Sequence, residues 1–481
     1  MERSFRDKLS GAVNALTFGD VILLPGWVEV EPKDVDVRAK VTRGCEMSVP
    51  FISSPMDTVT GNELAVAMAR QGGLGILHRN CTIEEQVEMA KKVKKAESLV
   101  IRDVITVNPD QTIKEAIDLM KKHGISGLPV VIDDRIMGIV TNRDVRFAQP
   151  NLKVEDVMTK ELVTAREGIT IEEAEEILHK NKIEKLPIVD DAGELRGLIT
   201  FKDIVLRGQF PNALRDEEGR LLCGAAISPF DLARAKELDR YVDVLVIDVA
   251  HFHNRNVFEA TKTALKEVSA EVVAGNIGTY EAAEDAITKL KEVAGFRVGV
   301  GSGSICVTTQ LTKAGSPTLY AVAQVADAVA KYGGDIPVIA DGGIRTPGDI
   351  ALALAAGASA VMMGNIFARS KEAPGELIAI GEKYYKQYRG MASPSAMAKR
   401  HSADRYAIDA KGIAEGVEGY VPFKGDLATI VQELTAGLKV AMGYAGAKNI
   451  SELQKKARFA ALTAAGIREA GPHDVVMPSE S

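Results

Sequence analysis

The chain has 481 residues, 46% of them hydrophobic, and carries 59 basic against 66 acidic side chains for a net charge of −7. That length exceeds one ordinary core and predicts two or three domains unless an α/β barrel takes a large share. The absence of a dense basic run excludes the electrostatic footprint of a DNA-binding protein, and no apolar run approaches the roughly 18 residues of a membrane span.

Short apolar runs ending in glycine or polar residues alternate with helical patterns, the signature of parallel βα units. Eight runs read as strands: 50–54, 74–77, 222–227, 242–249, 271–275, 296–299, 336–340 and 360–364. Eight βα units predict the α/β class and a (β/α)8 TIM barrel over residues 1–96 and 209–481, with chemistry on the loops that follow the strands. Between the second and third strands lies an insert, 97–208, that repeats itself. Gly127-Leu128-Pro129-Val130 recurs as Lys185-Leu186-Pro187-Ile188, and Gly138-Ile139-Val140-Thr141-Asn142-Arg143-Asp144 as Gly197-Leu198-Ile199-Thr200-Phe201-Lys202-Asp203. Two β-α-β-β-α units of this length predict a separate domain, and its blandest role is a spacer that packs against its own twin.

Loops after the strands hold the candidate chemistry. Ser54 and Met56 follow the first strand, where a hydroxyl and a flexible thioether suit a sugar and a flat base. Asp248 ends the fourth strand and puts a carboxylate on its loop. Two histidines, His251 and His253, follow it on an extended segment without further metal ligands. After the fifth strand, Asn276 offers an amide for a base edge. Asp341-Gly342-Gly343 and Gly364-Asn365 end the seventh and eighth strands, where barrels build phosphate sites from backbone N–H groups. With Ser304 they predict a three-sided anion cradle, and Asp341 at its rim is placed to take both ribose hydroxyls.

The sixth strand leads into Gly299-Val300-Gly301-Ser302-Gly303-Ser304-Ile305-Cys306-Val307-Thr308. Glycines at alternate positions let backbone amides approach a ligand, and a thiol beside them becomes a nucleophile once its pKa falls. A lone cysteine is ordinarily a core residue, but this setting favours catalysis. The four cysteines, Cys45, Cys81, Cys223 and Cys306, form no Cys-x-x-Cys pair, which argues against zinc and disulfides and fits reduced thiols in a soluble, cytoplasmic protein. Near the C-terminus, 384–424 lacks a long apolar period, and a polar loop of that length predicts a lid.

The Gly-Ser-Gly-Ser-Ile-Cys stretch closely resembles the active-site loop of the inosine 5′-monophosphate dehydrogenase and GMP reductase family, and the resemblance runs from about Leu16 to about Val476. It implies Cys306 as the nucleophile toward purine C2, with Thr308, Arg405 and Tyr406 completing the catalytic set. Arg405 and Tyr406 are the implied water-activating pair. The nucleotide is implied to lie against Ser54, Met56, Asn276, Ser304, Asp341, Gly342, Gly343, Gly364, Asn365, Tyr388, Gly390, Met391 and Glu415. NAD is implied beside Asp248, Gly299, Val300 and Gly301. A potassium ion is implied at the carbonyls of Gly301, Gly303 and Cys306, completed by Glu469, Ala470 and Gly471 of a neighbouring subunit. The family forms tetramers that pair into octamers through their inserts. The insert itself resembles a tandem pair of CBS motifs, which implies adenine or guanine nucleotides at Thr141, Asp144, Thr200 and Asp203.

This chain departs from the family pattern at Val249, Phe252 and Asn254 around Asp248, at Asn365 where serine is usual, and at Ala392 where glycine is common. The implied reaction is oxidation of IMP to XMP with reduction of NAD through a covalent cysteine thioimidate. Two alternatives stand beside it: a GMP reductase, which uses the same barrel and cysteine with NADPH but needs no Arg-Tyr pair, and a nucleotide sensor without turnover.

Overall fold

The computed structural model describes residues 10–97, 100–398 and 415–475, which form two compact units. The larger comprises the chain up to Lys94, Asn212–Leu214 and everything from Leu221 onward. Within it eight parallel strands close into a barrel: β1 (Phe51–Ser53), β2 (Leu74–Leu77), β3 (Gly224–Ile227), β4 (Val244–Ile247), β5 (Glu271–Ile277), β6 (Gly295–Val298), β7 (Val338–Asp341) and β8 (Ala360–Met363). Pairing runs in chain order around the ring, and β8 closes on β1 with Met363 opposite Ser53. These are the eight expected strands, with ends shifted by a few residues.

Parallel strands are covered by helices on one side and by one another's side chains on the other, so both of their faces must be apolar. Accordingly, β2, β3, β4, β6 and β8 are buried along their whole length. Alternate residues point inward, as the two-residue period demands. Ile52, Ile76, Ala226, Val244, Val246, Val273, Ile339, Ala360 and Met362 fill the barrel as one cluster with Val41, Cys45, Met47 and Leu214. Burial of each larger aliphatic side chain contributes roughly 1.5–3 kcal/mol. At the strand N-termini a short hairpin pairs Ala39–Lys40 with Glu46–Met47. Its Gly44 N–H donates to Glu271 Oε1 at 3.0 Å, at the first residue of β5. Cys45 belongs to this plug, and burial pushes its thiol up to about 12, which makes it a core residue without nucleophilic character.

The expected lid needs correction at both of its ends. Lys383–Arg389 and Glu418–Pro422 are strands rather than loop, and with Leu377–Ile380 they form an antiparallel sheet (β9, Leu377–Ile380; β10, Lys383–Arg389; β11, Glu418–Pro422). The reason is a two-residue alternation: Lys386 and Tyr388 are buried while Tyr385, Gln387 and Arg389 are only partly so. Residues 399–414, with Arg405 and Tyr406, lie outside the described residues.

The smaller unit holds Lys95–Pro211 and Arg215–Arg220 and contains the repeat. Helix Ile113–His123 precedes the hairpin Gly127–Ile132/Arg135–Thr141, and helix Ile171–Asn181 precedes the hairpin Lys185–Val189/Leu195–Thr200. Both helices begin with the same device, a capping box in which Thr112 pairs with Glu115 and Thr170 with Glu173. Each pair satisfies two otherwise orphaned N–H groups. Each copy also has its own apolar core, one around Ile113, Leu128 and Val140, the other around Leu178, Leu186 and Ile199. Among the described residues no helix is long and apolar enough to cross a membrane.

Candidate active site

At the C-terminal mouth of the barrel lies a cavity of about 410 Å³, within the range of small-molecule sites. The loop after β6 forms its centre. Gly299 takes φ +137°, and a Cβ there would lie 2.2 Å from the Asp341 carbonyl oxygen, so only glycine lets β6 and β7 approach so closely. The loop is fastened on two sides. Ser316 N–H donates to the Val300 carbonyl at 2.9 Å, while Val307 N–H donates to the Glu415 carbonyl at 3.0 Å and Val417 N–H to that of Ile305 at 3.1 Å.

That fastening carries Glu415 into the site. Cys306 Sγ donates to Thr308 Oγ1 at 3.2 Å, and Thr308 Oγ1 donates to Glu415 Oε2 at 2.8 Å. A thiol, a hydroxyl and a carboxylate thus form a continuous hydrogen-bonded chain along which a proton can leave the sulfur. Cys306 is only half-buried, whereas the other three cysteines are buried.

Around this chain stand the loops of the other strands. Ser54 and Met56 after β1 line the cavity, as do Ser304, Asp341, Gly342 and Gly343, and Gly364 and Asn365 after β8. Tyr388, Gly390, Met391 and Glu415 supply the far wall. A Cβ at Gly364 would lie 3.0 Å from Tyr388 Oη and 3.1 Å from Met56 Sδ, so glycine keeps this corner open. Burial pushes the Tyr388 phenol up to about 12 although Ser304 hydrogen-bonds to it; it therefore stays protonated and able to donate. Asn365 Nδ2 donates to Ser304 Oγ at 3.4 Å. The strand that carries Tyr388 is tied to the first loop by Arg389, whose Nε donates to Asp57 Oδ1 at 3.0 Å. Burial pushes the Asp57 carboxyl up, but the hydrogen bonds from Arg389 and Asn80 outweigh it and hold it below the ordinary range.

Beneath the mouth is a charge network that the sequence reading missed. Arg297 on β6 is buried; its Nε donates to Asp341 Oδ2 at 2.8 Å and its Nη1 to Asp248 Oδ1 at 2.9 Å. Asn276 Nδ2 donates to the same Asp341 oxygen at 2.9 Å and to the Gly299 carbonyl at 3.0 Å. Asp341 therefore keeps Oδ1 open toward the cavity's contents, and Asn276 Oδ1 is buried with no partner among the described residues. A buried orphan acceptor costs about 1–3 kcal/mol unless something donates to it. The available signal was the charge itself: an arginine in the middle of Gly295-Phe296-Arg297-Val298 is out of place in a buried strand unless paired.

Not every expected residue reaches the cavity wall. Asp248 is 2% exposed and is held by Arg297 and Arg79, the latter at 3.5 Å; it lies behind Arg297, which does line the cavity. Gly299, Val300, Gly301 and Gly303 are on the wall. The Gly301 carbonyl accepts from Thr309 Oγ1 at 3.3 Å and that of Gly303 from Cys306 N–H at 3.0 Å. Glu469 ends helix Ala464–Glu469, followed by Ala470 and Gly471; none of the three lines this cavity. Thr141, Asp144, Thr200 and Asp203 belong to the smaller unit.

Fold and site together define a parallel (β/α)8 barrel that presents a thiol in a glycine-lined cavity. The sequence profile of the IMP dehydrogenase / GMP reductase domain matches residues 15–473, and the chain belongs to that family. It is 58% identical to the inosine-5′-monophosphate dehydrogenase of Korarchaeum cryptofilum over 96% of this chain and 97% of the other. With that of Aquifex aeolicus the identity is 50%, over 97% and 96%. A crystal structure of GMP reductase from Trypanosoma brucei in complex with guanosine 5′-monophosphate superposes with a TM-score of 0.89 at 37% identity, covering 98% of this chain and all of the other. Dehydrogenases and reductases are both oxidoreductases, and that is the class of this chain.

Proposed function

We propose that the chain oxidises IMP to XMP with NAD as the hydride acceptor. The observation that carries this reading is the hydrogen-bonded chain from Cys306 through Thr308 to Glu415 at the centre of the cavity. The names borne by relatives at 45–58% identity support the same substrate.

The residues divide the work. The thiol proton passes to Thr308 while Thr308 passes its own to Glu415, and the sulfur then forms a bond to purine C2 as the C2=N3 π pair moves onto N3. The hydride leaves C2 as that pair re-forms the C=N bond, with a bound nicotinamide dinucleotide supplying the acceptor. Water next attacks C2 and gives up a proton, the C–S bond breaks with its pair going to sulfur, and the sulfur recovers its proton from Glu415 through Thr308 as XMP leaves. Arg405 and Tyr406, outside the described residues, are proposed to activate that water. Asp341 Oδ1 takes the ribose hydroxyls, and Ser304, Gly342, Gly343, Gly364, Asn365 and Tyr388 surround the phosphate. Asn276 steadies Asp341 for that contact by donating to its Oδ2.

The wall at Gly299, Val300 and Gly301 is the proposed seat of the cofactor ring. Asp248 supports it indirectly through Arg297. The carbonyls of Gly301, Gly303 and Cys306 suit a potassium ion, since each carbonyl oxygen that accepts one hydrogen bond retains a second lone pair. Glu469, Ala470 and Gly471 of a neighbouring copy would complete that set, which makes the active enzyme a homotetramer, or an octamer if its inserts pair. The smaller unit, from about 97 to 208, is proposed as a tandem CBS domain that binds adenine or guanine nucleotides at Thr141/Asp144 and Thr200/Asp203. Such an enzyme works in the cytoplasm.

GMP reduction is the second reading, favoured by the full-length likeness to the Trypanosoma brucei enzyme. Incubation with IMP and NAD, set against GMP and NADPH, separates the two by NADH absorbance and nucleotide products. Turnover of the first pair alone supports the dehydrogenase, and turnover of the second alone overturns it. Cys306→Ala is expected to abolish turnover while IMP still binds, because phosphate and ribose contacts come from other loops.

A further inference from the structure

Three arginines line the cavity: Arg297, Arg345 and Arg369. Arg297 is neutralised by Asp248 and Asp341, and Arg345 is exposed. Arg369 differs from both. It is partly buried, and no carboxylate pairs with it among the described residues. Burial alone acts on it, pulling its pKa below the usual arginine value. A desolvated positive charge without a partner is unfavourable unless an anion comes to it.

The guanidinium is also aimed. Its Nε and Nη2 both donate to Asn365 Oδ1, at 3.1 and 2.7 Å, which occupies two of its five N–H donors and leaves three. On its other side the Asn365 amide donates through Nδ2 to Ser304 Oγ. One amide thus fixes a cation and faces the anion cradle together. Serine, one bond shorter and with a single O–H, lacks the separate acceptor and donor ends that this arrangement uses. The replacement at 365 and the arginine at 369 therefore belong to one device.

We propose that Arg369, oriented by Asn365, is a binding residue for the 5′-phosphate of the substrate and recognises its dianion. The inference rests on the purine-nucleotide reading of the cavity given above. Arginine is suited to the task because its planar fork meets phosphate oxygens in charge-assisted pairs.

The test is equilibrium titration of the full-length protein with IMP and with inosine, which lacks the phosphate. Arg369→Gln is expected to weaken IMP binding by about 10- to 100-fold, the range for losing charge-assisted hydrogen bonds, while inosine binding is unchanged. Asn365→Ser should weaken IMP binding less, since the charge remains and only its anchor is lost. Between pH 7.5 and 5.5 the phosphate passes from dianion toward monoanion, its second pKa being about 6. Wild type should lose IMP affinity over that interval, and Arg369→Gln should lose less. Equal weakening of IMP and inosine assigns Arg369 a structural role and overturns the proposal, as does undiminished IMP binding. If Arg369→Gln does not fold, Arg369→Lys carries the test, with a smaller loss confined to IMP as the expected result. If wild type binds neither IMP nor GMP, the nucleotide reading itself falls; normal binding by both wild type and variant removes Arg369 alone.

Discussion

The candidate nucleotide residues of the inserted repeat and the charged residues of the barrel mouth satisfy their polar groups differently. In the insert, Thr141 donates its backbone N–H and its hydroxyl to Asp144 Oδ2, each at 2.7 Å, and Thr200 pairs with Asp203 likewise. These partners are three residues apart, and helix capping alone accounts for them. At the mouth the partners come from distant loops: Arg297 with Asp248 and Asp341, Thr308 with Glu415, Arg389 with Asp57. A local pair survives wherever its helix forms, whereas a distant pair exists only when the whole barrel is closed. The long-range pairs around Asp341, Thr308 and Asp57 therefore hold the mouth in one arrangement, whereas the Thr/Asp pairs of the insert leave function to be argued from elsewhere.

The largest effect on this comparison should come from Arg297→Met. It leaves the Asp248 and Asp341 carboxylates facing each other's charge without their common partner, and removing one member of a buried ion pair costs about 3–5 kcal/mol. Arg79 remains beside Asp248 and Asn276 beside Asp341, so the lower end of that range is expected from denaturant unfolding. Adding Asp248→Asn should recover part of the loss, a coupling that a double-mutant cycle measures. A variant as stable as wild type would show the network to be ornamental to the fold.

What was legible in the sequence follows the same division. The eight strands were, because apolar runs between turn residues are local, and so were the repeat and the glycine cradle. The sheet at the lid's ends was readable in principle: Tyr384-Tyr385-Lys386-Gln387-Tyr388 is rich in strand-forming tyrosine and alternates in burial, yet its polar content reads as loop. Asp248 is implied as a cofactor ligand by family resemblance, and its pairing with Arg297 was not legible because Asp248 follows β4 and Arg297 lies on β6. Arg369 carried no signal, since an Asn365/Arg369 pair at i,i+4 looks like any helix-surface pair. Only the cavity, which the chain cannot display before it folds, sets it apart.

A smaller effect separates capping from ligand binding in the insert. Thr170→Ala and Thr200→Ala each remove a hydroxyl that accepts from a helix N–H at 3.3 Å, so each should cost about 1 kcal/mol of the unit's stability. Thermal unfolding with and without ATP or GTP tells them apart. Thr170→Ala should keep any nucleotide-induced rise in melting temperature, and Thr200→Ala should lose it. If both keep it, the Thr200/Asp203 pair is a cap and nothing more.

The smallest effect on turnover is expected from the largest change in sequence. Deleting 97–208 and bridging the ends with a short Gly/Ser linker should leave activity toward IMP and NAD near that of the intact chain. Every residue on the cavity wall belongs to the larger unit, as do the barrel's eight strands. The cut must spare Asn212–Leu214, because the Asn212 carbonyl accepts from Ser48 Oγ at 2.9 Å and Leu214 packs in the barrel cluster; ending the deletion at 208 does so. Any response of activity or assembly to adenine or guanine nucleotides should vanish, since Thr141, Asp144, Thr200 and Asp203 go with the insert. A shortened enzyme that folds, as judged by cooperative unfolding, yet fails to turn over would place part of the active machinery in the insert. The separation between locally closed and distantly assembled polar groups would then no longer mark where the chemistry lies.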